Sequence, residues 1–327
     1  MFDIILSFID RYHSFILTTH DTPDADGIGS QIVLAAILNK AGKTVRIINS
    51  DPVPKYLSFI AITKTIETWN KEKHISLFEG SAILVLDTSE EYHLGIMRKY
   101  LKKAKEVFTI DHHEPAQRKS IPGFIDSAAA STAELAVELA CHVGIELNQE
   151  TATAAYAGIV YDTGFFAYPR TNLRTFAAAS KTIEWGVNPN YIYKHLMEQS
   201  SYCAILLQKQ ALSNMEFYAD KQLAVLTLKK EDFKLTGADF QEAENIVNIP
   251  LKAKEVVVSL LLKEKESGEI RCSLRSKGKV NVSKVAQVFG GGGHVIAAGF
   301  KSFSSMEDIL RKILPIVKSQ LNSLHGE

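Results

Sequence analysis

Short apolar runs alternate with longer segments of helical periodicity through the first half of the chain. The runs typical of buried strands cover residues 14–19, 43–48, 82–86 and 106–110. The helical patterns cover residues 27–41, 93–104, 132–143, 150–161 and 173–184, and the 132–143 and 150–161 segments are rich in alanine. Strands that alternate with helices are typical of a parallel sheet with helical crossovers. The first half is therefore predicted to be an α/β domain.

The pattern changes near residue 190. A mostly helical stretch, 191–215, precedes strand-like runs at 224–228, 255–262 and 270–274, and helices are predicted at 282–288 and 306–321. A length of 327 residues also exceeds the usual size of one domain. We expect an N-terminal parallel-sheet domain at 1–190, a helical linker at 191–215, and a smaller mixed α/β domain at 216–327, with a cleft between the domains.

Composition narrows the class of protein. Apolar residues make up 46% and charged residues 23%, as in a packed globular chain. Lys and Arg together number 37, as do Asp and Glu, so the net charge that binding to long nucleic acid requires is absent. The longest uncharged apolar stretch, 285–300, is too short to span a bilayer, and the acidic N-terminus is not a signal peptide. Three scattered cysteines favour a reducing compartment. We expect a cytoplasmic protein without membrane contact.

Ionisable residues stand where three predicted strands end. The first strand runs into His20, with Asp24 and Asp26 just beyond it, and the third runs into Asp87. The fourth runs into the triplet Asp111-His112-His113. Ligands of open parallel sheets bind outside the carboxyl ends of the strands, so separate crossovers would bring these groups to one edge. Asp162, which closes an alanine-rich helix, is a further candidate.

A metal centre explains this set better than separate local roles do. Taken singly, each acid can be a loop carboxylate or a helix cap. Together, several carboxylates at one edge would repel one another without a cation. Mixed imidazole and carboxylate ligands suit manganese, magnesium or iron. Gly27 and Gly29 are expected to let the backbone turn tightly and approach a ligand, where the following helix would offer its N-terminus to a phosphate.

The second domain carries a glycine run that ends in a histidine. Gly290 to Gly293 precede His294, and four glycines free the backbone to cradle an anion. A flexible loop is the simpler alternative. Arg275 follows a predicted strand, where it is either a solvated basic residue or a bidentate phosphate ligand.

These motifs, in this order, resemble those of the DHH phosphoesterases. The four N-terminal motifs are His20-x-x-x-Asp24-x-Asp26, Asp87, Asp111-His112-His113 and Asp162-Thr-Gly, and Gly291-Gly-Gly-His294 with Ala297-Ala-Gly299 is similar to the signature of the C-terminal DHH-associated domain. Length and layout resemble the NrnA group of bifunctional oligoribonucleases and pAp phosphatases. The resemblance implies hydrolysis of short oligoribonucleotides (nanoRNA) to mononucleotides and of pAp to AMP. A cyclic di-AMP or pApA phosphodiesterase with the same metal site is the alternative, and a non-catalytic nucleotide-binding regulator a more distant one.

The resemblance also implies roles for the individual residues. Two divalent cations are expected, with Mn²⁺ favoured over Mg²⁺ or others, and short single-stranded RNA or small nucleotides are the expected substrates. His113 and Asp111 are the expected catalytic residues, His113 at the phosphate and Asp111 behind it. A homodimer is compatible with the sequence. The expected metal ligands are His20, Asp24, Asp26, Asp87, His112 and Asp162, and the expected substrate-binding residues are Arg275, Gly291, Gly292, Gly293 and His294.

Overall fold

The computed structural model describes residues 1–114 and 121–322, and the chain divides into two compact units after Gln199. The first unit is built on a six-stranded, fully parallel sheet. Its strands are β1 Ser14–Thr18, β2 Thr44–Asn49, β3 Glu67–Thr68, β4 Ala82–Leu86, β5 Val107–Asp111 and β6 Gly123–Ile125. The central strand β4 is buried along its whole length, as expected for a parallel strand with both faces covered.

Helices cover both faces of this sheet. They are α1 Asp3–Arg11, α2 Ala25–Lys40, α3 Lys71–Gly80, α4 Thr132–His142, α5 Gln149–Asp162, α6 Leu173–Glu184 and α7 Pro189–Met197. The larger core lies on the side of α2, α4 and α5, and α2 is buried nearly all round. A smaller core, which includes Ile16, Phe78 and Val85, lies on the opposite face of the sheet.

The strand order of the first sheet is β3-β2-β1-β4-β5-β6. After β1 the chain forms β2 and β3 on one side of β1, and it then crosses to the other side of β1 to form β4. The connections therefore diverge between β1 and β4, which opens a crevice at the carboxyl ends of these strands.

The second unit contains a mixed six-stranded sheet in the order β11-β12-β10-β9-β8-β7. Its strands are β7 Glu216–Tyr218, β8 Leu223–Leu228, β9 Val258–Glu264, β10 Ile270–Ser276, β11 Gly292–Gly293 and β12 Ala297–Ser302. Its helices are α8 Tyr202–Ser213, α9 Lys230–Thr236, α10 Val282–Gln287 and α11 Met306–Asn322. Among the strands that the structure describes in this unit, only β8 and β9 pair in parallel. A separate apolar core packs on each face of the sheet.

The expected fold class is confirmed, and the differences are local. The segment predicted as a helix at 93–104 is 3₁₀-helical over Glu91–Lys103 and breaks at Gly95, whose φ of 53° is not helical. Further 3₁₀ segments span Lys55–Leu57, Ala61–Thr65 and Phe240–Lys252. Residues 191–215 carry α7 in the first unit and α8 in the second. Throughout the described ranges, each helix is too short or too polar to cross a membrane.

Candidate active site

Five backbone elements bring the predicted ligands of the first unit together. His20 and Asp87 lie just beyond β1 and β4, and Asp111 is the last residue of β5. Asp24 is the N-cap of α2, where its Oδ1 accepts the Asp26 and Gly27 amides at 3.0 and 3.1 Å. Asp26 follows in the first turn of α2, and Asp162 ends α5. The convergence occurs at the crevice that the strand order creates.

His20 is oriented by the backbone of its own loop. Its Nδ1 lies 2.8 Å from the carbonyl oxygen of Asp21, to which a protonated Nδ1 donates. The other nitrogen, Nε2, lies 3.8 Å from Asp24 Oδ1 and 3.6 Å from Asp87 Oδ2. A backbone bond that fixes one ring nitrogen and frees the other is typical of metal-binding histidines.

His112 faces three carboxylates from inside the unit. Its Nε2 lies 3.0 Å from Asp162 Oδ2, 3.5 Å from Asp87 Oδ1 and 3.8 Å from Asp26 Oδ2. This nitrogen is buried and makes no well-formed hydrogen bond with any described residue. A buried polar atom without a partner is costly. A cation placed among these oxygens would satisfy it.

The N-terminus of α4 holds two of the carboxylates, which the sequence did not lead us to expect. The backbone amides of Thr132 and Ala133 donate to the two oxygens of Asp26 at 2.7 and 2.8 Å. The Thr132 hydroxyl donates to Asp87 Oδ1 at 2.9 Å. The Ser131-Thr-Ala-Glu134 sequence is a capping-box pattern and could have located this helix start. It carries no information on which carboxylates the helix would face.

The carboxylates of the cluster repel one another, because the neighbouring side chains do not neutralise all of their negative charge. Burial, together with the charges of Asp87 and Asp162, raises the pKa of Asp26 well above its usual range. Burial and the charge of Asp87 also raise the pKa of Asp162, although His112 opposes this. Burial disfavours the charged form of His20, but attraction to Asp24 and Asp87 outweighs it and raises the pKa of His20 to about 11. The cluster thus favours protons or cations, as expected of a site for divalent metal.

The ligand atoms form three overlapping sets. Within each set the atoms lie within 4.8 Å of one another, close enough to share a cation. The sets are His20, Asp24 and Asp87; Asp26, His112 and Asp162; and Asp87, His112 and His113. Asp87 belongs to two sets, so its oxygens face both sides of the cluster. The donor set of imidazoles and carboxylates therefore fits divalent metal.

His113 stands at the exposed side of the cluster and is held by Asp111. Its Nδ1 lies 2.8 Å from Asp111 Oδ1, and its backbone amide donates to the same oxygen at 3.1 Å. The hydrogen bond with Asp111 raises the pKa of His113 to about 9, against the opposing effect of burial. The His113 side chain is 54% exposed, whereas Asp111 is fully buried. The His113 imidazole is thus presented at the cavity and held by Asp111 from behind.

A cavity of about 430 Å³ opens in front of these groups. Its wall includes the segment after β4, with Ser89, Glu90 and His93. Glu90 is 6% exposed, and its Oε1 has no hydrogen-bond partner among the described residues. His93 Nδ1 lies 3.2 Å from the Thr88 hydroxyl. The volume falls within the range of small-molecule sites.

Gly27 and Gly29 serve helix packing and not a tight turn, which corrects the expectation from sequence. Both lie inside α2. A Cβ on Gly27 would lie 2.4 Å from the Thr19 hydroxyl oxygen, and one on Gly29 would lie 2.4 Å from the Ala154 carbonyl oxygen. The absence of side chains therefore lets Thr19, just beyond β1, and the backbone of α5 approach α2 closely.

In the second unit the glycine run forms an ordered edge hairpin. Gly292 and Gly293 constitute β11, which pairs with β12, and the backbones of His294 and Ala297 exchange hydrogen bonds across the turn. Gly290 has a φ of 72°, which glycine adopts readily. Arg275 on β10 lies directly opposite Ala297 on β12. The structure thus brings Arg275 next to the turn that contains His294.

Comparison with known proteins identifies both halves of the chain. Residues 14–159 match the DHH family, N-terminal domain, and residues 220–322 match the DHHA1 domain. A Streptococcus mutans protein named a probable bifunctional oligoribonuclease and PAP phosphatase, NrnA, is 30% identical over 97% of this chain and 99% of its own length. The crystal structure of an exopolyphosphatase-related protein from Bacteroides fragilis is 28% identical, with a TM-score of 0.87 over 99% of this chain and 97% of that one.

A relative with a different named activity is also similar. The cyclic-di-AMP phosphodiesterase GdpP of Bacillus subtilis is 27% identical over 86% of this chain, but the match covers 44% of that protein. The likeness to the NrnA protein extends over nearly the whole of both chains.

Proposed function

The chain belongs to the DHH family of phosphoesterases, and we propose that it hydrolyses short oligoribonucleotides to mononucleotides and pAp to AMP. The observation that carries the proposal is the unsatisfied Nε2 of His112 among the carboxylates of Asp26, Asp87 and Asp162, beside a cavity of nucleotide size. The NrnA relative, which matches end to end, supports the substrate class.

We assign the metal ligands by their positions. His20, Asp24 and Asp87 would hold one divalent cation, and Asp87 would also reach the second. The second would be held by Asp26, Asp87, His112 and Asp162. Manganese is favoured because imidazole and carboxylate donors are combined. Two bound cations would polarise the phosphate and lower the pKa of an attacking water.

The chain's own groups complete the chemistry. His113 stands at the cavity, where its imidazole is placed to donate a hydrogen bond to the phosphate or a proton to the leaving oxygen. Asp111 keeps the His113 ring in position and supports its positive charge. In the second unit, the substrate's other phosphate or nucleotide would be bound by Arg275 and by the loop of Gly291, Gly292, Gly293 and His294. Such end recognition suits short substrates and does not require a basic protein surface.

A product time course tests the proposal. The full chain with Mn²⁺ is offered pAp, an RNA dinucleotide, an RNA pentamer and cyclic di-AMP in parallel. We expect rapid release of AMP from pAp and of mononucleotides from the dinucleotide, with the cyclic substrate inert. Dominant hydrolysis of cyclic di-AMP would replace the proposal with the GdpP-like activity, and binding without any product would reject an enzyme.

A further inference from the structure

One face of the second sheet carries a trough that runs over strands β10, β12 and β11. Basic residues border this trough on both sides. Along β10, residues are alternately buried and half-buried. Cys272 and Leu274 pack into the apolar core. Arg271, Ser273 and Arg275 therefore share the other face. Arg271 and Arg275, four residues apart on an extended strand, have Cα atoms about 13 Å apart.

Strand register gives the trough a floor without bulky side chains. Gly299 lies opposite Ser273 on β10, and Gly292 lies opposite Gly299 on β11. Cross-strand partners point to the same face, so these three small residues form one row. A Cβ on Gly292 would meet no atom within 4 Å, which indicates open space above the floor.

A row of three cations borders this floor on the side away from Arg275. Lys263, Arg271 and Lys301 are direct neighbours on β9, β10 and β12. They line a cavity of about 230 Å³, together with Ser273, Gly299 and Glu244. Adjacent like charges are unfavourable unless an anion or acid lies between them.

Nearby acids compensate this row only in part. Lys263 is 1% exposed, and its Nζ lies 2.8 Å from Glu244 Oε1 and over the Phe240 ring. Arg271 Nε lies 3.4 Å from Glu269 Oε1, and Glu269 is shared with Lys265. Lys301 is exposed, and its charge acts on the same Glu269 from a longer distance. Glu244 and Glu269 thus pair with Lys263, Lys265 and Arg271, whereas Lys301 has no ion pair within 4 Å among the described residues.

We propose that this trough is a second phosphate subsite, in which Arg271 and Lys301 bind a phosphate of an oligonucleotide that lies beyond the phosphate held at Arg275. The inference rests on the proposed function, since it extends the substrate-binding role of Arg275. A single phosphate cannot engage both ends of the trough, whereas the backbone of an oligomer of several nucleotides can. The subsite therefore favours oligomers over pAp.

The test measures binding without turnover. A labelled RNA pentamer and a labelled dinucleotide are titrated with the full chain in EDTA at several salt concentrations. The variants are Arg271→Gln and Lys301→Ala, and Lys312→Ala, an exposed lysine of α11, is the matched control. We expect each variant of the trough to weaken pentamer binding by about tenfold. The affinity for the dinucleotide should be unchanged in both variants of the trough.

Salt dependence gives a second readout. Each lost phosphate contact should reduce the slope of log affinity against log salt by about 0.7 for a single strand. Wild-type pentamer affinity and slope in both variants would overturn the subsite, as would an equal loss for the dinucleotide or in Lys312→Ala. Because no turnover is measured, absence of hydrolysis in the time course would reject the proposed function separately from this result.

Discussion

At the scale of single residues, the position of Asp87 determines how the cluster is arranged. Its φ of 64° lies in the left-handed region, which non-glycine residues adopt at a cost. Its backbone amide donates to the Ile110 carbonyl at 3.0 Å, and its carboxylate accepts from Thr132. These two bonds fix the carboxylate between the two histidines, His20 and His112. Thr132 thus positions Asp87, a proposed metal ligand.

Replacing Thr132 with valine tests this role. Thr132→Val removes the hydroxyl that orients Asp87 while keeping the shape of the side chain, so Mn²⁺ affinity should fall by about 10- to 100-fold. Calorimetric titration with Mn²⁺ measures the affinity without substrate. Thr132→Ser retains the hydroxyl and should bind like the wild type. Wild-type Mn²⁺ affinity in Thr132→Val would show that the hydrogen bond has no positioning effect.

At the scale of elements, the contact between α2 and α5 sets the spacing of the ligands. Asp24 and Asp26 belong to the start of α2, and Asp162 to the end of α5. Gly29 on α2 lies against the backbone of Ala154 on α5, leaving no room for a side chain. The separation of the helix axes, and with it the distance between these carboxylates, depends on that glycine.

Gly29→Ala should force the two helices apart. The added methyl group meets rigid backbone and not a flexible side chain, so the expected loss of stability is about 1–3 kcal/mol. Mn²⁺ affinity should fall in the same variant because Asp26 and Asp162 separate. Denaturant unfolding and metal titration measure the two effects. Gly80→Ala, where a Cβ would meet no atom within 4 Å, is the control. Equal stability of both variants would contradict the packing argument.

At the scale of the whole molecule, each unit has its own sheet and its own apolar cores. The proposed metal ligands all come from the first unit, and the proposed trough comes from the second. Metal binding should therefore stabilise the first unit directly.

Scanning calorimetry of the full chain tests this expectation. Mn²⁺ at about 100 times its Kd should add about 2.7 kcal/mol to the stability of the unit that binds it, and EDTA should remove the gain. Asp87→Asn is the control, since asparagine tolerates the left-handed backbone but lacks the charge. An Mn²⁺-dependent shift of the same size in Asp87→Asn would place the metal elsewhere.

Local sequence patterns predicted most of the fold and the histidines and carboxylates that cluster at the sheet edge. Apolar runs mark strands that are buried on both faces, and a parallel sheet requires its strands' carboxyl ends to meet at one edge. His20, Asp87 and Asp111 could therefore be placed together from the sequence alone. The break at Gly95 and the 3₁₀ geometry around it were not predicted, because helical periodicity does not distinguish the two helix types over short segments.

Contacts between distant parts of the chain were decided only by the tertiary structure. Thr132 lies 45 residues from Asp87, and the Thr132 amide lies 106 residues from Asp26, so no local pattern links them. The row of Lys263, Arg271 and Lys301 likewise exists only through strand register. A shift of the strand register by one residue would point the Arg271 side chain into the apolar core. The sequence by itself thus determined which residue types carry the chemistry, whereas packing and register decided which of them touch.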